Sequence, residues 1–118
     1  MVQFEKVEVV KVLPEVKILK PELETPTLNA NLTRICSCES NGVPNKKPRH
    51  FDADGNVLRG KINNLDIGMC QINLKYHGAR ADKLGIDLFT EAGNIKYANM
   101  LYAEQGTQPW SWSKPCWE

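Results

Sequence analysis

No stretch of this 118-residue chain approaches the ~18 consecutive apolar residues that a membrane-spanning helix needs, and no apolar leader segment follows Met1. Neither a membrane span nor a retained signal peptide is expected. Charge of one sign is also missing: 15 Lys and Arg stand against 14 Asp and Glu, a formal net charge of +1. Such a balance argues against strong capture of nucleic acid through its phosphates. Residues 1–30 hold no cysteine, glycine or tryptophan. Instead they are Val-rich, with alternating stretches such as Phe4-Glu5-Lys6-Val7-Glu8-Val9 that lead to Pro14, Pro21 and Pro26. This predicts an extended arm with strand character, laid across the domain or linking it to something upstream. Residues 31–118 suffice for one domain, small enough that cross-links would help it.

The cysteines are Cys36, Cys38, Cys70 and Cys116, one C-x-C and two singles. The paired C-x-x-C knuckles of a zinc ribbon are absent, so two disulfides are expected rather than a metal, in one of three pairings. Disulfides imply an oxidising compartment, extracellular or periplasmic.

Leu32, Ile35, Cys36 and Glu39 fall at i, i+3, i+4 and i+7, one stripe of a helix turning about 100° per residue. Asn31 or Thr33 is the candidate cap, and Asn41-Gly42 with Pro44 is the stop. The stripe turns Glu39 toward the core, where burial raises a carboxyl's pKa and fits it to give a proton to a leaving oxygen. Taken alone, Glu39 can equally be a flank residue paired with a Lys or Arg.

Asp54-Gly55 is a turn signal within residues 50–60 and predicts a small hairpin. Gly55 is the fourth residue from Asp52, whereas a calcium loop of the EF-hand kind wants glycine at its sixth position, so calcium is not expected. Next comes Asp66-Ile67-Gly68-Met69-Cys70-Gln71-Ile72-Asn73. Gly68 suits a close approach of backbone to a ligand, and in an extended segment Gln71 and Asn73 face the same way. A row of amides suits sugar hydroxyls and acetamido groups; a polar turn bonded to its own backbone is the other reading. Further on, Ala79–Leu84 reads as a short helix ended by Gly85, and Thr90–Gln105 as a longer one ended by Gly106 with Ile95, Ala98, Leu101 and Tyr102 inward. Tyr97 and Tyr102 are core or sugar-stacking residues. Trp110, Trp112 and Trp117 form either a cap over a small core or, through Trp110, a desolvating cover for Glu39.

Together, Cys38-Glu39-Ser40 and the Asp66–Asn73 run resemble the lysozyme-like superfamily, with chicken-type lysozymes and SLT-type lytic transglycosylases nearest. Gly93-Asn94-Ile95 is similar to the "Asn-Ile" helix of the transglycosylases, and Gly106–Trp112 to the lysozyme segment whose tryptophan packs on the catalytic acid. The resemblance covers residues 31 to 117. It implies an α+β, mainly helical fold, a reduced lysozyme-like domain over residues 31–118 with a small β-hairpin. By the same resemblance Glu39 is the catalytic acid and Asp66 a second carboxylate across the cleft, with Ser40, Gln71, Asn73, Tyr97 and Trp110 along the sugar groove. The implied activity is cleavage of peptidoglycan between N-acetylmuramic acid and N-acetylglucosamine, as lysozyme or lytic transglycosylase, by a monomer that needs no cofactor or metal. A carbohydrate-binding module that keeps the groove without turnover is the alternative.

The disulfide pairing is expected to follow the same layout. Cys36 lies on the core stripe, Cys70 precedes a groove-facing glutamine and so points inward, and Cys38 is turned toward the docked tryptophan-rich tail. Cys36 should therefore join Cys70, and Cys38 should join Cys116.

Overall fold

The computed structural model describes residues 26–118. The arm expected over residues 1–30 lies outside the described residues except for 26–30. Its last part is tied down: the Asn29 backbone N–H donates to Asn99 Oδ1 at 2.8 Å, and Asn99 Nδ2 donates to the Thr27 carbonyl at 2.9 Å.

Helix α1 (Ala30–Asn41) begins two residues before Leu32, the first of the apolar stripe, because its cap is Asn29 and not the expected Asn31 or Thr33; Asn29 accepts the Asn31 N–H at 2.8 Å. It ends as expected at Gly42, whose φ of 76° lets its N–H return to the Cys38 carbonyl. Two short strands follow, β1 (Asp66–Ile67) and β2 (Ile72–Asn73), antiparallel with Asp66 opposite Asn73 and Ile67 opposite Ile72. The remaining elements are α2 (Leu74–Lys83), α3 (Glu91–Gln105), a 3-10 helix (Gln108–Ser113) kinked at Trp110, and α4 (Lys114–Trp117). The fold is thus α+β and mainly helical.

The expected hairpin over residues 50–60 is present as a turn more than as strands. A single bridge pairs Phe51 with Val57, and Asp52 Oδ1 accepts the N–H groups of Asp54 and Asn56 at 2.9 and 3.0 Å. The side chain of Asp52 thus takes over bonds that a ladder would make. The second arm of this turn pairs with β1 through the Arg59–Ile67 bridge and the Gly68 N–H to the Leu58 carbonyl. Helix α2 begins five residues before the expected Ala79, because Asn73 caps it by accepting the N–H groups of Lys75 and Tyr76.

Leu32 and Ile35 from α1, Ile72 from β2, and Ala98 and Leu101 from α3 meet in one core with Trp110. Burying each large apolar side chain contributes about 1.5–3 kcal/mol. The disulfides join Cys36 to Cys70 and Cys38 to Cys116, so α1 is bonded both to the β1–β2 turn and to α4. Each cross-link typically contributes about 2–4 kcal/mol. Of the three tryptophans, Trp110 is buried and Trp117 packs on the core, whereas Trp112 is 95% exposed and covers nothing.

Candidate active site

A cleft of about 380 Å³ opens between the end of α1 and the 58–71 segment, with Glu39, Asp66 and Gln71 in its wall. That volume lies in the usual range of about 300–1,000 Å³ for ligand sites. Glu39 enters it from the third-last position of α1, half-buried. Its pKa is pushed from the ordinary 4.5 up to about 7, first by desolvation, opposed by a hydrogen bond from the Ser113 hydroxyl and reinforced by the negative charge of Asp66. Loss of water around an ionised carboxyl outweighs one favourable donor, so near neutral pH this group still holds its proton for about half of the time.

Ser113 is a residue that the sequence reading missed. Its hydroxyl carries one proton and has two acceptors to choose between, the Glu39 carboxyl and the Trp110 carbonyl at 3.1 Å, while it accepts Trp117 Nε1–H at 3.0 Å. The available signal was its spacing: Ser113 follows Trp110 by three residues, and three residues make one turn of a 3-10 helix.

Asp66 and Asn73 stand opposite each other in the β1–β2 register, and Asn73 Nδ2 donates to Asp66 Oδ1 at 2.8 Å. The turn between the two strands is built for rigidity. Asn94, wholly buried on α3, donates to the carbonyls of Ile67 and Leu88 at 2.9 Å each and accepts the Cys70 N–H at 3.1 Å. His50, 2% exposed, accepts the Met69 N–H at Nδ1, 3.3 Å, and donates from Nε2 to the Phe89 carbonyl, 2.8 Å. Both side chains crowd Gly68, whose φ is +76°; a Cβ there would stand 2.5 Å from Asn94 Nδ2 and from His50 Cε1. The close approach expected of Gly68 is therefore made to protein and not to a ligand.

Several expected groove residues do other work. Gln71 lines the cleft, but its φ is 52°, a left-handed turn in place of the extended segment, and its Nε2 donates to the Gly68 carbonyl at 2.9 Å. It therefore does not alternate with Asn73, whose amide is spent on Asp66 and on the α2 cap. Ser40 borders the cleft, yet its hydroxyl donates to the Cys36 carbonyl at 2.8 Å and accepts the Arg49 N–H at 3.0 Å, so it anchors the 43–50 loop instead of a sugar. Tyr97 is wholly buried, with its hydroxyl 3.0 Å from His77 Nδ1; α3 is covered on too many sides for this ring to reach solvent. Trp110 is 3% exposed and donates from Nε1 to the Cys70 carbonyl at 2.9 Å, which removes it from any sugar-stacking role, while its own carbonyl accepts from the Ser113 hydroxyl beside Glu39.

Helix α1 and the β1–β2 turn thus bring together an acid with a raised pKa and a second carboxylate, held in place by an amide. Three basic side chains, Arg49, Arg59 and Lys61, border the same cleft and are all exposed. No protein-family model, curated protein or solved structure matches this chain.

Proposed function

We propose that this protein is a muramidase that cleaves the β-1,4 bond between N-acetylmuramic acid and N-acetylglucosamine in peptidoglycan, with Glu39 as general acid in a reduced lysozyme-like domain. The observation that carries the reading is the half-buried Glu39 carboxyl, pushed up to about 7 in the wall of a cleft that also holds Asp66. A carboxyl group that keeps its proton near neutral pH, with a second carboxyl group on the same cleft, is what acid-assisted glycoside cleavage needs.

Protonated Glu39 gives its proton to the glycosidic oxygen as the bond to the anomeric carbon breaks, and the sugar acquires oxocarbenium character. Asp66, oriented by Asn73, supplies the negative charge that this cation requires. Glu39 is then a carboxylate, and the Ser113 hydroxyl, turning from the Trp110 carbonyl, stabilises it for the return step. As base, it draws a proton from water in a hydrolase, or from the muramyl 6-hydroxyl in a lytic transglycosylase. Anhydro-muramyl ends in the digest, read by mass spectrometry, belong only to the second course.

Two disulfides are compatible with the extracellular or periplasmic setting in which peptidoglycan is met, and no described helix is long and apolar enough to cross a membrane. The test is release of soluble muropeptides from purified cell walls. Release by the native protein and its loss in Glu39→Gln are expected; a protein that sediments with walls and leaves them intact is a binding module instead.

A further inference from the structure

The charges of the cleft are sorted by depth. Glu39 and Asp66 are half-buried, whereas Arg49, Arg59 and Lys61 are exposed at its border. None of the three cations is among the groups that shift Glu39; desolvation, Ser113 and Asp66 are. They border the cleft without neutralising its acid.

The two arginines are also held in place by neutral partners. Arg49 donates from Nε to the Ser40 carbonyl at 3.0 Å and to Asn41 Oδ1 at 3.1 Å, contacts that leave both terminal nitrogens of its fork to point elsewhere. Arg59 donates from one terminal nitrogen to the Asn64 carbonyl at 3.0 Å, and its guanidinium lies 5.4 Å from the centre of the Phe89 ring. Carbonyl, amide and ring contacts fix a guanidinium's position while leaving its charge unmatched. Among the described residues, neither arginine nor Lys61 stands in a salt bridge.

This layering selects a kind of polymer. A nucleic acid carries its charge on every backbone phosphate and would press phosphates against Glu39 and Asp66. A glycan with neutral rings and carboxylates hanging from it can lay the rings along the half-buried carboxyl groups and offer its own carboxylates to the exposed cations. We propose that Arg49, Arg59 and Lys61 form a recognition wall for carboxylates pendant from the glycan strand. The strand's lactyl groups and its stem peptides are two sources of that one chemistry. The inference rests on the glycan-cleaving reading and adds which residues distinguish an acidic strand from a neutral one of the same backbone.

The test is a binding titration of the Glu39→Gln protein with three fluorescent probes: glycan strands bearing stem peptides, the same strands stripped by an amidase so that the lactyl carboxylates are free, and stripped strands whose carboxylates have been converted to amides. Charge-assisted bonds of the usual strength predict about a tenfold or greater preference for stripped over amidated strands at low ionic strength, closing as salt is added. Lys61→Gln and Arg59→Gln should each narrow the gap by weakening the acidic strand alone; Lys61 makes no hydrogen bond among the described residues, so its loss does not disturb the fold. A greater preference for the peptide-bearing strands than for the stripped ones assigns the wall to peptide carboxylates, and the reverse assigns it to the lactyl group. Equal affinity for all three strands, or a preference untouched by both substitutions, overturns the inference. Because the readout is binding, a native protein that prefers acidic strands yet cleaves none defeats the muramidase reading alone.

Discussion

Asn73 faces Asp66 across the two-residue sheet and donates its side-chain amide to Oδ1 at 2.8 Å, while the amide oxygen of the same Asn73 caps α2. One side chain thus orients the second carboxylate and starts the helix behind it. The two jobs are separable by substitution. Asn73→Asp keeps a good cap but replaces the donor with a like charge beside Asp66. It should melt near the native temperature while losing about tenfold in wall-cleaving rate. A native rate in the folded variant would remove the Asn73–Asp66 pair from the chemistry.

Ser113→Ala removes the donor that favours ionised Glu39. The pKa of Glu39 should then rise further, so that the alkaline limb of the pH–rate profile moves to higher pH and activity below it persists. An unmoved limb in a folded variant would mean that the hydroxyl stays on the Trp110 carbonyl throughout.

The same carboxyl should govern stability. Since its pKa rises from 4.5 in a water-exposed chain to about 7 when folded, the folded state holds the extra proton between those values. The contribution of this carboxyl to stability is therefore full below pH 4.5 and is lost as the pH climbs to about 7. The loss amounts to about 3 kcal/mol. Denaturant melts across that window should show the decline, and Glu39→Gln, which cannot ionise, should flatten it and be the more stable protein above pH 7. A native-like slope in Glu39→Gln would place the titration elsewhere.

Gly68→Ala tests whether the Asp66–Asn73 turn is as crowded as its contacts indicate. The new Cβ meets His50 and Asn94 at 2.5 Å on a backbone with φ of +76°. Strain and overpacking together should cost at least about 2 kcal/mol. Thermal unfolding at the native temperature would contradict this.

Much of this layout is legible in the chain. The stripe Leu32, Ile35, Cys36 and Glu39 fixes the face of α1, and the sides to which Cys36, Cys38, Cys70 and Cys116 point match the two disulfides found. Periodicity cannot show where a helix starts when its cap lies outside the apolar repeat, as Asn29 and Asn73 do. Nor can it show how many sides of a helix are covered, so Tyr97 looked available for sugar and is wholly buried. The Gln71 backbone escaped for another reason: a left-handed residue between two strands has no signature when it is not glycine. Arg49, Arg59 and Lys61 were invisible as a group because only the turn over residues 50–60 and its pairing with β1 bring them to one cleft.

Everything proposed for this cleft depends on Glu39 being the proton donor for glycosidic cleavage. The most direct measurement is the initial rate of soluble muropeptide release from purified peptidoglycan at pH 6, for the native protein and for Glu39→Gln shown by melting to be folded. Measurable release by the native protein and a loss of about 10²–10⁴-fold in the variant are expected, the range for a positioned general acid. Equal release by both proteins would contradict that role, as would a folded native protein that releases nothing.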